Sequence, residues 1–203
     1  MAGPAMNKTH SLTTAFAALA LSLAGCGGGG PAEEPPLAGA KVGGAFALTD
    51  QDGRAVTQAS YPGKYRVMYF GYTYCPDVCP VDLQTLMQGY RAFAGKDPAR
   101  AARVQPIFVS VDPARDTPAA MKQYVAAFGP GLTGLTGTPS ELAAMAKRYA
   151  IVYSKEQTPG AKDYLMNHSR MAMLFAPDGR PLALLRADES ADAVAADLDR
   201  WVS

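Results

Sequence analysis

The 203-residue chain predicts an α/β domain with a central mixed sheet flanked by helices and an N-terminal β-hairpin. Three observations carry this. The runs Tyr65-Arg66-Val67-Met68-Tyr69-Phe70 and Val104-Gln105-Pro106-Ile107-Phe108-Val109-Ser110-Val111 are short, apolar and rich in β-branched and aromatic residues, as expected of buried strands. Each is followed by a helical pattern, the alternation that builds parallel units. The chain then closes with two strand-like runs around a turn and a last helix, which adds antiparallel strands.

Taken in order, Phe46-Ala47-Leu48-Thr49 and the turn Asp50-Gln51-Asp52-Gly53 predict the hairpin. Tyr61-Pro62-Gly63-Lys64 is a turn feeding the strand at 65–70. Val81, Leu83, Leu86, Met87, Tyr90 and Phe93 recur at helical spacing and predict a helix over 80–94. A basic and polar link leads to the strand at 104–111. Asp112-Pro113-Ala114-Arg115-Asp116-Thr117-Pro118 then opens a helix with Thr117 as cap and Pro118 at its first position, running from Ala119 to Phe128. Leu132 to Thr136 reads as a short strand. Thr138-Pro139-Ser140-Glu141 has the capping-box spacing of a helix reaching about Tyr149. Ile151-Val152-Tyr153 is strand-like and 154–164 reads as a polar loop. Met171–Phe175, the turn Ala176-Pro177-Asp178-Gly179 and Pro181–Leu185 form a second hairpin, and a helix spans Ala191 to Trp201. This order is that of a thioredoxin-like fold.

The net charge of +1 and ordinary hydrophobic content point to no nucleic-acid or acidic partner. Lys8 and His10 precede a short apolar run, Leu12 to Ala24, that ends in Leu23-Ala24-Gly25-Cys26. A positive region, a short apolar region and small residues before a cut describe a secretory signal peptide over 1–25, too short for a comfortable membrane span. Leu-Ala-Gly-Cys resembles the bacterial lipobox, which implies lipidation of Cys26. Residues 26–40 then read as a flexible Gly/Pro linker with a reach of roughly 20 Å, and 41–203 as the folded domain. The expected location is the bacterial cell envelope, anchored to a membrane through the lipid with the domain in the periplasm, an oxidising space.

Within the domain remain Cys75, Cys79 and His168. The cysteines sit where a strand hands over to a helix, the usual place for a site in an α/β sheet. Were that turn helical, both sulfurs would share a face with Cα atoms roughly 6 Å apart. That spacing permits a disulfide between Cys75 and Cys79 and equally two thiolates on one soft metal ion. A four-ligand zinc site cannot be assembled from one chain, whereas two thiolates and one imidazole suit a low-coordinate Cu(I). A helix N-terminus would lower the thiol pKa under either reading. Met68, Met87, Met145, Met171 and Met173 fall in apolar patterns and read as core.

Phe70-Gly71-Tyr72-Thr73-Tyr74-Cys75-Pro76-Asp77-Val78-Cys79-Pro80 resembles the signature of the Sco (SenC) copper chaperones. Ser110–Pro118 resembles that family's second block, and Asn167-His168-Ser169 followed by Pro177-Asp178-Gly179 its third. The three blocks stand in order and span nearly all of 42–200. The resemblance implies a thioredoxin-like fold and copper, as Cu(I) and also Cu(II), held by Cys75, Cys79 and His168. It implies a role in maturing the copper A site of cytochrome c oxidase, with the copper-bearing oxidase subunit and a thiol reductase as partners. The family often has Asp before the histidine, where this chain has Asn167, a change expected to alter affinity or redox behaviour.

Two other readings stay open. The pair is a thiol–disulfide oxidoreductase centre, with Cys75 attacking the oxidase's copper-site cysteines, or the protein is a copper or redox sensor. Thioredoxin-like oxidoreductases place a cis-proline before the strand matching Met171–Phe175; here the approach is Asn167-His168-Ser169-Arg170, which favours metal. Asp77 reads as a solvated carboxylate rather than a ligand. Asp112, Arg115 and Asp116 read either as an ion-paired loop bracing the site or as a cap and a surface ion pair.

Overall fold

A computed structural model describes residues 1–3, 33–157, 159–160 and 162–203, and residues 34–203 form one compact unit. Cys26 and nearly all of the expected signal peptide lie outside the described residues. Among the described residues no helix is long and apolar enough to cross a membrane.

The strand that the aromatic run predicts, β3, spans Tyr65–Gly71 and is buried along its whole length. Apolar on both faces apart from the buried Arg66, it takes a central position. The seven-stranded order is β2 (Ala55–Thr57), β1 (Ala47–Asp50), β5 (Thr133–Thr136), β4 (Val104–Ser110), β3, β8 (Ala172–Phe175) and β9 (Pro181–Leu185). Strand β4 runs parallel to β3, from Tyr65 opposite Val104 to Gly71 opposite Ser110, so the two strands end level. β5 continues the parallel set. β1 and β2 form the expected hairpin and add antiparallel at one edge. β8 and β9 add antiparallel at the other.

The helices are α1 (Val78–Lys96), α2 (Pro98–Ala101), α3 (Pro118–Ala126), α4 (Pro139–Arg148) and α5 (Ala191–Trp201). Their starts follow the sequence signals. Thr117 Oγ1 accepts from the Ala120 amide and Pro118 opens α3. Thr138 and Glu141 make the reciprocal capping box of α4, and Ser190 caps α5. Helices α1 and α5 pack closely because position 89 has no side chain: a Cβ there would lie 2.5 Å from Val194 Cβ.

Two elements depart from expectation. The basic link after α1 contains α2, capped by Asp97 with Pro98 at its first position. The polar loop expected over 154–164 contains most of β6 (Tyr153–Glu156), which pairs antiparallel with an unanticipated β7 (Leu165–His168) as a separate ribbon. β6 is exposed after Tyr153, and β7 alternates exposed and half-buried positions with the apolar Leu165 on the exposed face, so neither carries the apolar alternation by which a half-buried strand is recognised.

Candidate metal centre

The loops leaving the level ends of β3 and β4 build one side of the site. Cys75 stands before α1, not on it: the helix begins at Val78. The physical reason is Pro76, whose ring disfavours helical backbone at the residue before it. The Asp77 side chain makes no cap bond; instead Cys75 Sγ accepts from the Cys79 amide at 3.4 Å. Cys79 lies in the first turn of α1 and is fully buried. Its sulfur fits because residue 71 is glycine: a Cβ there would sit 2.9 Å from both Cys79 Sγ and Phe108 Cε2.

His168, the last residue of β7, supplies the other side. Its Nε2 is 3.1 Å from Cys79 Sγ. Nδ1 lies 3.1 Å from the Ser169 carbonyl oxygen, which can only accept, so Nδ1 carries the proton and the Nε2 lone pair faces the sulfur. Tyr69 and Tyr72 meet the imidazole edge-on, with centroids 6.4 and 5.9 Å away. Burial pushes the Cys79 thiol up and holds the His168 imidazole below its usual value. For Cys79 this outweighs the lowering expected of a helix N-terminus. Both effects favour a neutral thiol donating to a neutral imidazole, and both cysteines are free thiols.

The ligand atoms of Cys75, Cys79 and His168 lie within 4.8 Å of one another. Bonds of about 2.0–2.3 Å to a shared ion would set donors about 4 Å apart, so the group closes on a cation with sub-ångström shifts. Two sulfurs and one nitrogen match a soft, low-coordinate ion. Asp77 is exposed and stays outside the group. Met68, Met87, Met145 and Met173 are buried in the core and Met171 packs against it.

One supporting residue, Asp82, was not anticipated, and two that the sequence singled out, Asp116 and Asn167, take definite places. Asp82, buried behind Cys79, accepts from Tyr69 Oη at 2.8 Å and from Arg170 Nε and Nη2 at 3.0 and 2.6 Å. Its signal was present: Asp82 is three residues after Cys79 and so on the same helix face, among residues otherwise apolar. Asp116 is fully buried and accepts from Ser110 Oγ and Thr73 Oγ1, both at 2.6 Å, which ties the cysteine loop to the end of β4. Burial pushes its carboxyl up, against the lowering by those hydroxyls. Asn167 donates to Glu156 Oε2 at 2.7 Å. Next to His168 on a strand, it points to the opposite face.

This arrangement defines a class: a thioredoxin-like α/β protein with a two-thiol, one-imidazole group that could hold a metal ion at the C-terminal end of its central strands. The family model described as SCO1/SenC matches residues 34–203, and the chain belongs to that family. Among curated relatives it is 38% identical over 141 residues to "Protein SCO2, mitochondrial" of Saccharomyces cerevisiae, covering 68% of this chain and 46% of that one. It is 35% identical over 157 residues to "Protein SCO1 homolog, mitochondrial" of Homo sapiens, covering 77% and 52%. The chain thus spans about half the length of the curated relatives it matches. Among solved structures, Bradyrhizobium japonicum ScoI with copper bound has a TM-score of 0.71 at 44% identity, covering 79% of this chain and 99% of that one. Yeast Sco1 with copper bound has a TM-score of 0.71 at 33% identity, covering 80% and 88%.

Proposed function

We propose that this protein is a membrane-anchored copper metallochaperone that holds copper through Cys75, Cys79 and His168 and delivers it to the copper A site of cytochrome c oxidase. The observation that carries the reading is the convergence of three donor atoms within 4.8 Å, with the Nε2 lone pair facing the Cys79 sulfur. Family membership and neighbours solved with copper bound support copper as the cargo. Loading Cu(I) releases the thiol protons, because the thiolate is the ligand. The site is half open: Cys79 is buried while Cys75 and His168 are partly exposed. Cargo leaves by stepwise exchange, with a client thiolate taking the place of Cys75 first. The Leu23-Ala24-Gly25-Cys26 motif supports anchoring through Cys26 and a domain on the periplasmic side of a bacterial membrane. A thiol reductase keeps the pair in its copper-binding state in an oxidising space.

One observation favours a second reading, a thiol–disulfide oxidoreductase. Cys75 Sγ accepts a helix N-terminal amide, which stabilises an attacking thiolate. Copper stoichiometry and affinity of the reduced protein, beside His168→Ala, separate the two. One Cu(I) per chain, held at least about tenfold more weakly without His168, is the chaperone outcome. Reduced wild type that retains no copper overturns it and leaves a dithiol redox pair.

A further inference from the structure

His168 rides on a ribbon that is not part of the main sheet, so its distance from the cysteines is not set by the sheet's ladder. At the base of the ribbon, the Ser169 amide donates to the Val152 carbonyl at 2.9 Å and the Val152 amide to Ser169 Oγ at 3.0 Å. These bonds join the ribbon's own ends. Met166 of β7 packs against the core and its backbone bonds to Tyr72, and the start of the strand is joined to the loop after β4. Arg115 Nη1 donates to the Tyr164 carbonyl at 2.9 Å, and its guanidinium carbon lies 3.7 Å from the Tyr164 ring centroid. Arg115 Nε pairs with Asp112, and Tyr164 Oη donates to Asp112 Oδ1 at 2.7 Å. Lys155 of β6 lies 3.8 Å from the same centroid. Two cations that close to one centroid occupy opposite faces, so the Tyr164 ring is clamped between the ribbon and the loop.

The same guanidinium reaches the other half of the site, lying 5.6 and 4.9 Å from the ring centroids of Tyr72 and Tyr74. Both rings flank the segment that Asp116 fastens through Thr73. One short loop, Asp112 to Asp116, therefore grips the cysteine-bearing segment and the histidine-bearing ribbon together. The Arg115 and Asp112 side chains are only 15% and 3% exposed, so these contacts are shielded from competing water, unlike an ordinary surface pair. Arg is the residue type suited to such a grip, because its planar fork bonds, ion-pairs and stacks at once.

We propose that Arg115, with Asp112, is a positioning residue of the metal centre, a latch from the β4 loop to Tyr164 that holds His168 at bonding distance from the cysteine pair. It touches no ligand atom. It acts through the ribbon, and so on the nitrogen ligand rather than on the sulfurs. The inference rests on the three-ligand reading of the site.

Arg115→Met keeps the length of the side chain and removes the fork; Tyr164→Leu removes the stacked ring and its hydroxyl bond to Asp112, leaving the backbone carbonyl that accepts from Arg115. In the copper-free full-length protein, amide exchange across 165–168 is expected to quicken at least about tenfold in either variant, with β3 and α1 amides unchanged. Combining the two should cost less than the sum of the single effects, since both remove the stacking of the guanidinium on the Tyr164 ring. In the protein loaded with Cu(II), the sulfur-to-copper charge-transfer band should persist while the imidazole nitrogen coupling in the electron paramagnetic resonance spectrum weakens. Arg115→Lys should restore part of it. Variants with wild-type exchange and wild-type nitrogen coupling overturn the latch. Wild type with no nitrogen coupling overturns the three-ligand reading instead, and the exchange result alone then decides the latch. Should Arg115→Met not fold, Tyr164→Leu decides the question by the same two readouts.

Discussion

Gly71→Ala tests whether the seat of Cys79 sets the geometry of the centre. A Cβ at position 71 would lie 2.9 Å from Cys79 Sγ, 2.9 Å from Phe108 Cε2 and 3.3 Å from Tyr69 Cε1. Comfortable contacts are about 3.5–4.0 Å, so neighbours must retreat by about 0.6–1 Å. Cys79, Phe108 and Tyr69 are at most 1% exposed, so none can swing into solvent. Overpacking of this kind costs about 1–3 kcal/mol, offset by about 0.4–1 kcal/mol from the stiffer unfolded chain. The net of about 1–2 kcal/mol corresponds to a Tm about 3–8 °C lower for a domain of this size. A sulfur displaced by more than about 0.5 Å leaves the productive geometry of a metal site, so Cu(I) affinity should fall at least about tenfold. Thermal melting of the copper-free protein and competition titration with a Cu(I) chelator measure the two effects. Gly134→Ala is the control: its Cβ would meet Val125 Cγ1 at 3.0 Å and the flexible end of Met121 at 3.1 Å, a milder clash elsewhere in the core. It should lower Tm and leave affinity alone. A folded Gly71→Ala protein that binds copper as tightly as wild type would refute the reasoning.

Three further outcomes are expected. Asp82→Asn takes the carboxylate from Tyr69 and Arg170; because Arg170 is 44% exposed the loss is about 2 kcal/mol rather than that of a fully buried pair, read as a lower urea midpoint at unchanged slope. Asn167→Asp, the residue the family often carries, sets a carboxylate against Glu156 on the face away from His168; copper affinity should stay within about threefold while ribbon amides exchange faster, and a large change in affinity alone would contradict this placement. For pH, the Arg100 amide and guanidinium hold the Asp97 carboxyl below its ordinary 3.8, and the Thr138 amide and hydroxyl do the same for Glu141 below 4.5. Groups lowered in the folded state contribute stability above those values and lose it as pH falls through the folded ones. The denaturant midpoint should therefore begin to drop below about pH 4.5, and Asp97→Asn should flatten that drop.

Much of the protein was legible in its residues. Continuous apolar runs marked β3 and β4, because a strand covered on both faces has no polar side to interrupt it. Thr117-Pro118 and Thr138-x-x-Glu141 marked helix starts, because capping is satisfied within a few residues. Cys75, Cys79 and His168 were identified as a set by elimination and by the three family blocks around them.

What lay beyond reach was whatever depends on distance across the fold. The ribbon of β6 and β7 has no fully buried position, so the strand holding His168 drew no prediction and most of β6 read as loop. The Cys79 thiol read as lowered by a helix terminus, but burial, decided by Gly71, Phe108 and Tyr69, pushes it the other way. The nature of Asp112, Arg115 and Asp116, brace or mere cap, was undecided until Tyr164 and Thr73 were seen to meet them. Sequence alone determined which side chains this protein has for a soft cation, since donor chemistry belongs to the residue. Only the tertiary structure decided how they are held, because packing and hydrogen bonds between residues 40 to 90 positions apart leave no local trace.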